Sequence, residues 1–120
     1  MRVAHLLRKY DPAAWGGTET VVLRLLTGLR SHRVHGEVFA PRIATAPTHD
    51  PLAEAGFPVR RYEAVVPVWG ISKAARQQMI TIGGNIVSFE LMGTLWRERE
   101  LGVVHSHALG RIGGIGLTVA

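Results

Sequence analysis

The first residues suited to chemistry are Gly16-Gly17-Thr18-Glu19, which stand between an apolar run at 3–7 and a helical pattern at 21–29. A strand, a glycine turn and a helix start therefore follow one another. The first turn of a helix leaves backbone N–H groups without intrahelical acceptors, and glycines let an anion approach them closely. The segment predicts a phosphate-binding loop. A tight turn that only connects strand to helix remains the alternative from these residues alone.

A second group with chemical potential is His105-Ser106-His107, which ends another short apolar run. Open α/β sheets bind ligands at the carboxyl ends of their strands, where these side chains are predicted to lie. Residues two apart in a strand point the same way and could share a metal ion. No third ligand is evident nearby, so no metal is expected. The favoured arrangement buries one histidine against a backbone carbonyl while the other lines a pocket.

The remaining histidines are interpreted as structural or surface residues. His5 falls within the first apolar run and is expected to be a core histidine with satisfied hydrogen bonds. His32, His35 and His49 lie in or beside turns, where a solvated side chain is favoured. Trp15 could stack on a ligand or simply cover the glycine turn, and the sequence leaves both alternatives open.

The elements that would position these residues alternate between strands and helices, which indicates an α/β fold with a mainly parallel sheet. Right-handed crossovers would place the first strand between the second and the fourth. A single helical turn is expected at Asp50–Ala55. The strand patterns are Val3–Leu7, Val34–Ala40, Pro58–Arg60 and Val103–His105.

Two longer helices are predicted between the strands. The first runs from about Thr18, a good N-cap residue, to about Arg30. The second follows Asn85 as a possible N-cap and ends near Glu100. Residues 62–84 are interpreted as a long irregular excursion. The apolar residues of the second helix recur at spacings of three and four, at Ile86, Phe89, Met92, Leu95 and Trp96.

The composition bounds the class of protein. The chain has 120 residues, 47% of them hydrophobic, which is enough for one globular domain. It has no cysteine, so it offers neither a disulfide nor a thiolate nucleophile. The net charge of +5 comes mainly from scattered arginines, a pattern that favours anionic small ligands or surfaces over a nucleic-acid groove. No apolar stretch reaches the ~20 residues of a membrane span, so a cytoplasmic protein is expected.

The order of these pieces resembles the N-terminal domain of the retaining glycosyltransferases of family 4, which have the two-domain GT-B fold. The resemblance rests on Arg2–Leu7, on Trp15 to Glu19 with the helix after it, and on the run Leu101–His107. Residues 83–95 and 109–114 also look like one branch of that family. The resemblance implies that 1–120 is a single, incomplete Rossmann-like domain on the acceptor side, with a mainly parallel sheet and flanking helices.

The same resemblance implies a reaction and roles for residues. A sugar would pass from a nucleotide-sugar donor to an acceptor with retention of configuration. Gly16, Gly17 and Thr18 would bind the donor phosphates, and His107 would be catalytic, contacting the donor sugar near the reacting carbon. No cofactor or metal is required if the departing phosphate helps to remove the acceptor proton. Weaker candidates for acceptor or phosphate contacts are Trp15, Arg8 and Arg111.

The implied partners are the donor, an unidentified acceptor and a C-terminal domain with the family's two-glutamate motif. The chain alone is expected to be inactive and to self-associate through an unfinished sheet edge beside the apolar pattern Ile112–Ala120. Arg60-Arg61 could contact the inner face of a membrane, although adjacent arginines are usually only solvated. The alternative function is a non-catalytic α/β domain that binds a nucleotide, a phosphorylated ligand or a partner chain. Translating the coding DNA beyond Ala120 would separate the two.

Overall fold

The computed structural model describes residues 1–43, 49–64, 70, 72–81, 88–97 and 101–107. Within these residues, four strands form one all-parallel sheet in the order β3-β2-β1-β4. This confirms the predicted α/β, Rossmann-like arrangement and the central place of the first strand. The strands are β1 (Arg2–Leu6), β2 (His35–Pro41), β3 (Val59–Tyr62) and β4 (Leu101–Ser106). The helices are a 3-10 turn at Pro12–Ala14, α1 (Gly17–Arg30), α2 (Pro51–Glu54), α3 (Lys73–Thr81) and α4 (Phe89–Arg97).

Strand β1 is buried on both faces because helices cover both sides of the sheet. On one face Ala4 and Leu6 pack in a core with residues of α3 and α4. On the other face Leu7, directly after β1, packs in a second core with residues of α1 and α2. Parallel strands covered on both faces read as continuous apolar runs, which is why β1 could be recognised in the sequence.

Helix α1 begins earlier than predicted. It starts at Gly17 with Gly16 as the N-cap residue, so the prediction of Thr18 as the N-cap is wrong. The reason is Glu19, whose Oε2 atom accepts a hydrogen bond from the Gly16 N–H at 3.0 Å. A carboxylate at the third helical position that reaches back in this way stabilises the start of a helix.

The buried face of helix α4 agrees with the predicted one at Leu95 but not at Phe89, Met92 and Trp96, and the predicted position Ile86 lies outside the described residues. Leu91 and Leu95 are buried against the sheet, whereas Phe89 and Trp96 are 71% and 75% exposed. Leu91 and Leu95 lie one turn apart, and they join the core formed by residues of β1, β2 and β3. The predicted N-cap Asn85 lies outside the described residues. Ser88 takes that role, because its Oγ accepts from the Leu91 N–H at 3.0 Å.

Of the other local predictions, some are confirmed and some are wrong. The turn of helix near Asp50 is confirmed as α2, with the Asp50 side chain accepting from the Ala53 N–H. Part of the expected irregular excursion is helical, since α3 occupies Lys73–Thr81. Strand β3 begins one residue later and ends two residues later than predicted. The pattern at 112–120 lies outside the described residues. Among the described residues, no helix combines the length and the apolar character needed to cross a bilayer.

Candidate functional site

Three histidines meet at the carboxyl ends of β1 and β4. His5 of β1 pairs in register with His105 of β4, so their side chains lie on the same face of the sheet, and His107 follows two residues later. The Nδ1 atom of His5 lies 2.9 Å from Nε2 of His107. The rings of His105 and His107 stack with centroids 4.0 Å apart. We call these three side chains the histidine cluster.

The cluster runs from the core to the surface. His5 is only 1% exposed, His107 is half-buried and His105 is exposed. The Nε2 atom of His5 is buried without a hydrogen-bond partner among the described residues. A buried N–H without an acceptor is rarer in proteins than a buried acceptor without a donor. We therefore place the proton of His5 on Nδ1, from which it donates to Nε2 of His107. His107 then carries its own proton on Nδ1.

Burial keeps two of these imidazoles neutral. Burial, with a smaller contribution from the neighbouring His105, lowers the pKa of His5 to about 4. The pKa of His107 is also lowered to about 4, first by burial and then by the charges of His105 and His5. At neutral pH both rings are therefore uncharged, and each keeps one nitrogen lone pair for a ligand or a hydrogen bond.

The cluster differs from the sequence interpretation in two ways. His107 is bonded to another imidazole, and no hydrogen bond to a backbone carbonyl holds either its ring or that of His105 among the described residues. His5 is a core histidine as predicted, but only one of its nitrogens has a partner. It also supplies the third imidazole that the sequence analysis did not find. The sequence did indicate that His5 could be near the other two histidines, because His5 and His105 lie in strands that were predicted to be neighbours.

The exposed histidines follow the prediction. His32, His35 and His49 are all exposed. His49 lies 2.6 Å from a carboxylate oxygen of Glu54.

The glycine loop, Gly16 to Glu19, lies at the N-terminus of α1. Gly17 and Thr18 are exposed, and their backbone N–H groups belong to the first helical turn, where no intrahelical acceptor exists. An added Cβ on Gly17 would meet nothing within 4 Å. The buried Glu19 carboxylate already occupies the Gly16 N–H. The loop can therefore present two N–H groups to an anion, and a third if Glu19 moves.

Trp15 covers the loop and stays accessible. Its indole Nε1 donates to Thr20 Oγ1 at 2.9 Å, and its ring meets Tyr10 edge-on with centroids 6.2 Å apart. The side chain is still 37% exposed, and its stacking on a ligand stays a prediction. Arg8 is exposed after β1, and Arg111 lies outside the described residues.

The glycine loop and the histidine cluster leave the sheet at the same edge. The loop follows β1, and His107 follows β4, which is the direct neighbour of β1. The backbone N–H of His107 donates to the Leu6 carbonyl at 3.1 Å, which ties the end of β4 to the end of β1. Among the described residues, no hydrogen bond or ion pair joins the loop to the cluster.

A second polar group at this edge includes Arg61, for which the sequence analysis considered only a membrane contact or a solvated side chain. Arg61 donates from Nη1 to the carbonyls of Tyr10 and Pro41, at 2.7 and 2.8 Å. Its guanidinium carbon lies 4.9 Å from the centroid of the Tyr10 ring. Arg61 of β3 is therefore held against the end of β2 and the segment after β1 rather than solvated. Arg60 is more exposed and lies 3.6 Å from a carboxylate oxygen of Glu37.

The fold defines the chain as an α/β protein with an all-parallel, Rossmann-like sheet. No family model matches it, and neither a curated protein nor a solved structure matches it.

Proposed function

We propose that the chain is the N-terminal, acceptor-side domain of a retaining glycosyltransferase of the GT-B type. The observation that carries the proposal is the common edge of β1 and β4, from which the glycine loop and His107 both emerge. Ligands of open parallel sheets bind at that edge. The family resemblance supplies the reaction class, and the chemistry of the two groups is suited to it.

The glycine loop would hold the donor phosphates. The N–H groups of Gly17 and Thr18 point away from the helix they begin, and the helix dipole favours negative charge there. Gly17 has open space where a Cβ would stand, so a phosphate oxygen can approach its backbone. These donors would stabilise the negative charge that grows on the departing phosphate.

His107 would contact the donor sugar with a neutral imidazole. Its Nε2 accepts from His5, which leaves the Nδ1–H as a donor toward the cleft. The lowered pKa of His107 suits this role, because a neutral ring can donate a hydrogen bond to a sugar hydroxyl without adding charge beside an oxocarbenium-like carbon. His5 would act as a positioning residue that fixes the tautomer and orientation of His107.

The reaction needs no nucleophile from this domain. The bond between the anomeric carbon and the phosphate oxygen breaks, and the acceptor oxygen forms its bond on the same face of the sugar. The acceptor proton passes to the departing phosphate. The loop and His107 would orient the donor, and the other wall of the cleft would come from a second domain.

Isotope-edited NMR of the 120-residue chain tests this function. We expect a uridine diphosphate sugar to shift the amides of Gly17 and Thr18 and the imidazole of His107, whereas inorganic phosphate shifts the amides alone. Gly17→Val should remove the amide response while the chain stays folded. Gly28→Val is the matched control, because Gly28 lies in the same helix and also has nothing within 4 Å of an added Cβ.

Two results would contradict the proposal. Amide shifts that survive Gly17→Val would mean that the loop is only a connecting turn. Equal shifts at His107 from uridine diphosphate with and without the sugar would favour the alternative, a non-catalytic domain that binds nucleotides or phosphorylated ligands.

A further inference from the structure

We propose that His5, His105 and His107 form a binding site for a divalent transition-metal ion such as Zn²⁺. One nitrogen of each ring lies within 4.8 Å of one nitrogen of each other ring. The proposal rests on the geometry of the histidine cluster and not on the glycosyltransferase assignment, and a bound ion would replace the hydrogen bond between His5 and His107 of the metal-free chain.

The donor set selects the class of metal. Three imidazoles suit Zn²⁺, Cu²⁺ and Ni²⁺, whereas Mg²⁺ and Ca²⁺ prefer oxygen ligands. A site with three protein nitrogens leaves a fourth position of a tetrahedral ion for water or another ligand. The exposed side of the cluster, at His105, is where that fourth ligand would enter.

The spacing of the nitrogens is close to what an ion requires. Zn–N bonds of about 2.0–2.1 Å in a tetrahedron place two ligand nitrogens roughly 3.3 Å apart. The 2.9 Å between Nδ1 of His5 and Nε2 of His107 is near that value. Because a nitrogen of His105 lies within 4.8 Å of a nitrogen of each other ring, reaching the required spacing takes a movement of at most about 1.5 Å, which its exposed side chain can make by rotation within the same strand register.

Two of the three ligands are held in place by the fold. His5 is buried in the central strand, and a Cβ added to Gly36 on β2 would stand 3.4 Å from its Nε2. His107 is fixed through its backbone N–H, which donates to the Leu6 carbonyl. Ligands on neighbouring strands of one sheet are more rigid than ligands on loops, so little order has to be gained on binding.

Coordination also has a penalty that limits the affinity. A metal on Nδ1 of His5 moves the proton of that ring to Nε2, which faces Gly36 and has no hydrogen-bond partner among the described residues. A buried N–H without an acceptor opposes binding. The site should therefore hold Zn²⁺ reversibly.

Titration of the tag-free, metal-free 120-residue chain tests the proposal. We expect one Zn²⁺ per chain by calorimetry, and Co²⁺ to give the strong visible absorption of a four-coordinate site. Loss of an outer partner of a ligand alone weakens metal binding about 10- to 100-fold, so His105→Ala and His107→Ala should each weaken Zn²⁺ binding at least about ten-fold. These variants avoid the buried His5, whose replacement would also disturb the core.

His32→Ala and His35→Ala are the matched controls, because both remove an exposed histidine outside the cluster. They should leave the Zn²⁺ affinity unchanged. The proposal is overturned if no Zn²⁺ binds, if His105→Ala binds as tightly as the parent chain, or if a control variant loses as much affinity as His105→Ala. Either of the first two results would mean that His5 and His107 only share a hydrogen bond and that His105 only stacks on His107.

Discussion

Nδ1 of His5 lies 2.9 Å from Nε2 of His107, although 102 residues separate the two in the chain. The contact exists because β4, the last described strand, lies beside β1, the first one. It joins a buried imidazole to a half-buried one, and it links the core of the sheet to the edge where we propose that the nucleotide-sugar donor binds. Several measurable properties depend on this pair or on the elements around it.

The free energy of unfolding should decrease as the pH falls from about 6.5 to about 4. The unfolded chain protonates His5 near its ordinary pKa of 6.5, whereas burial lowers the pKa of the folded state to about 4. Stability is therefore complete above pH 6.5 and is lost as protons bind to the unfolded chain first. The loss attributable to His5 is about 3 kcal/mol at most. His107 shifts in the same direction.

Urea denaturation of the metal-free chain across this pH range measures the effect. The ionisable groups in contact with His5 among the described residues are His105 and His107. The comparison is with His35→Gln, an exposed histidine whose removal should leave the pH dependence as it is. His5→Asn should flatten it. A parent chain whose stability rises toward acidic pH would show that His5 is not buried as a neutral ring.

Gly36→Ala should destabilise the fold by about 1–3 kcal/mol. A Cβ at this position would stand 2.1 Å from Cδ2 of Leu26, which is itself buried in the core between α1 and the sheet. Gly28→Ala is the opposite case, because its Cβ would meet nothing within 4 Å and alanine favours the helix by up to about 1 kcal/mol. Denaturation midpoints should therefore move in opposite directions. Equal shifts would refute the close approach of α1 to β2.

Ser88→Ala should lower stability by about 1–2 kcal/mol. The fully buried Ser88 hydroxyl donates to the Glu63 carbonyl at 2.5 Å and accepts from the Leu91 N–H at 3.0 Å, so its loss leaves two backbone groups unpaired. Ser31→Ala at the exposed end of α1 removes a single bond to the Gly28 carbonyl and should change stability by less than about 0.5 kcal/mol. Thermal or chemical unfolding of the Ser88→Ala and Ser31→Ala variants measures this difference in stability.

Zn²⁺ should raise the free energy of unfolding of the parent chain. At a free concentration of 100 times its dissociation constant, an ion that binds only the folded state adds about 2.7 kcal/mol. A chelator should reverse the gain, and at the same Zn²⁺ concentration His105→Ala should reduce it to about 1.4 kcal/mol or less while retaining the metal-free stability, because His105 is exposed. Scanning calorimetry with and without Zn²⁺ gives the comparison. A gain of full size in His105→Ala would place the ion elsewhere.

Much of the sheet could be predicted because chain order and handedness constrain it strongly. The apolar runs of β1 and β4 locate the strands, and right-handed crossovers put β1 between β2 and β4. The buried face of α4 could not be predicted in this way. Phe89, Met92 and Trp96 are as apolar as Leu91 and Leu95, so composition alone does not show which of them are buried. The packing of the helix against the sheet decides this.

The histidine cluster was half predictable. The spacing of His105 and His107 places both on one face of a strand, but their relation to His5 depends on the register between β1 and β4. Register is set by side-chain packing along both strands and has no local signal in the sequence. The start of α1 was missed for a similar reason, since the residue that fixes it is Glu19, three positions beyond the N-cap.

The Glu19 carboxylate on the Gly16 N–H also gives the glycine loop an intramolecular competitor. A group tethered this closely acts at an effective concentration of about millimolar or more, so an incoming anion must outbind it. A free carboxylate has the same charge and the same kind of oxygen as the Glu19 side chain, so replacing Glu19 on the Gly16 N–H would bring it no gain in binding free energy. A phosphate near neutral pH carries more charge and an additional oxygen, so it can replace Glu19 and still engage Gly17 and Thr18. The loop would thus discriminate among anions by valence before any contact with a sugar or a base is made.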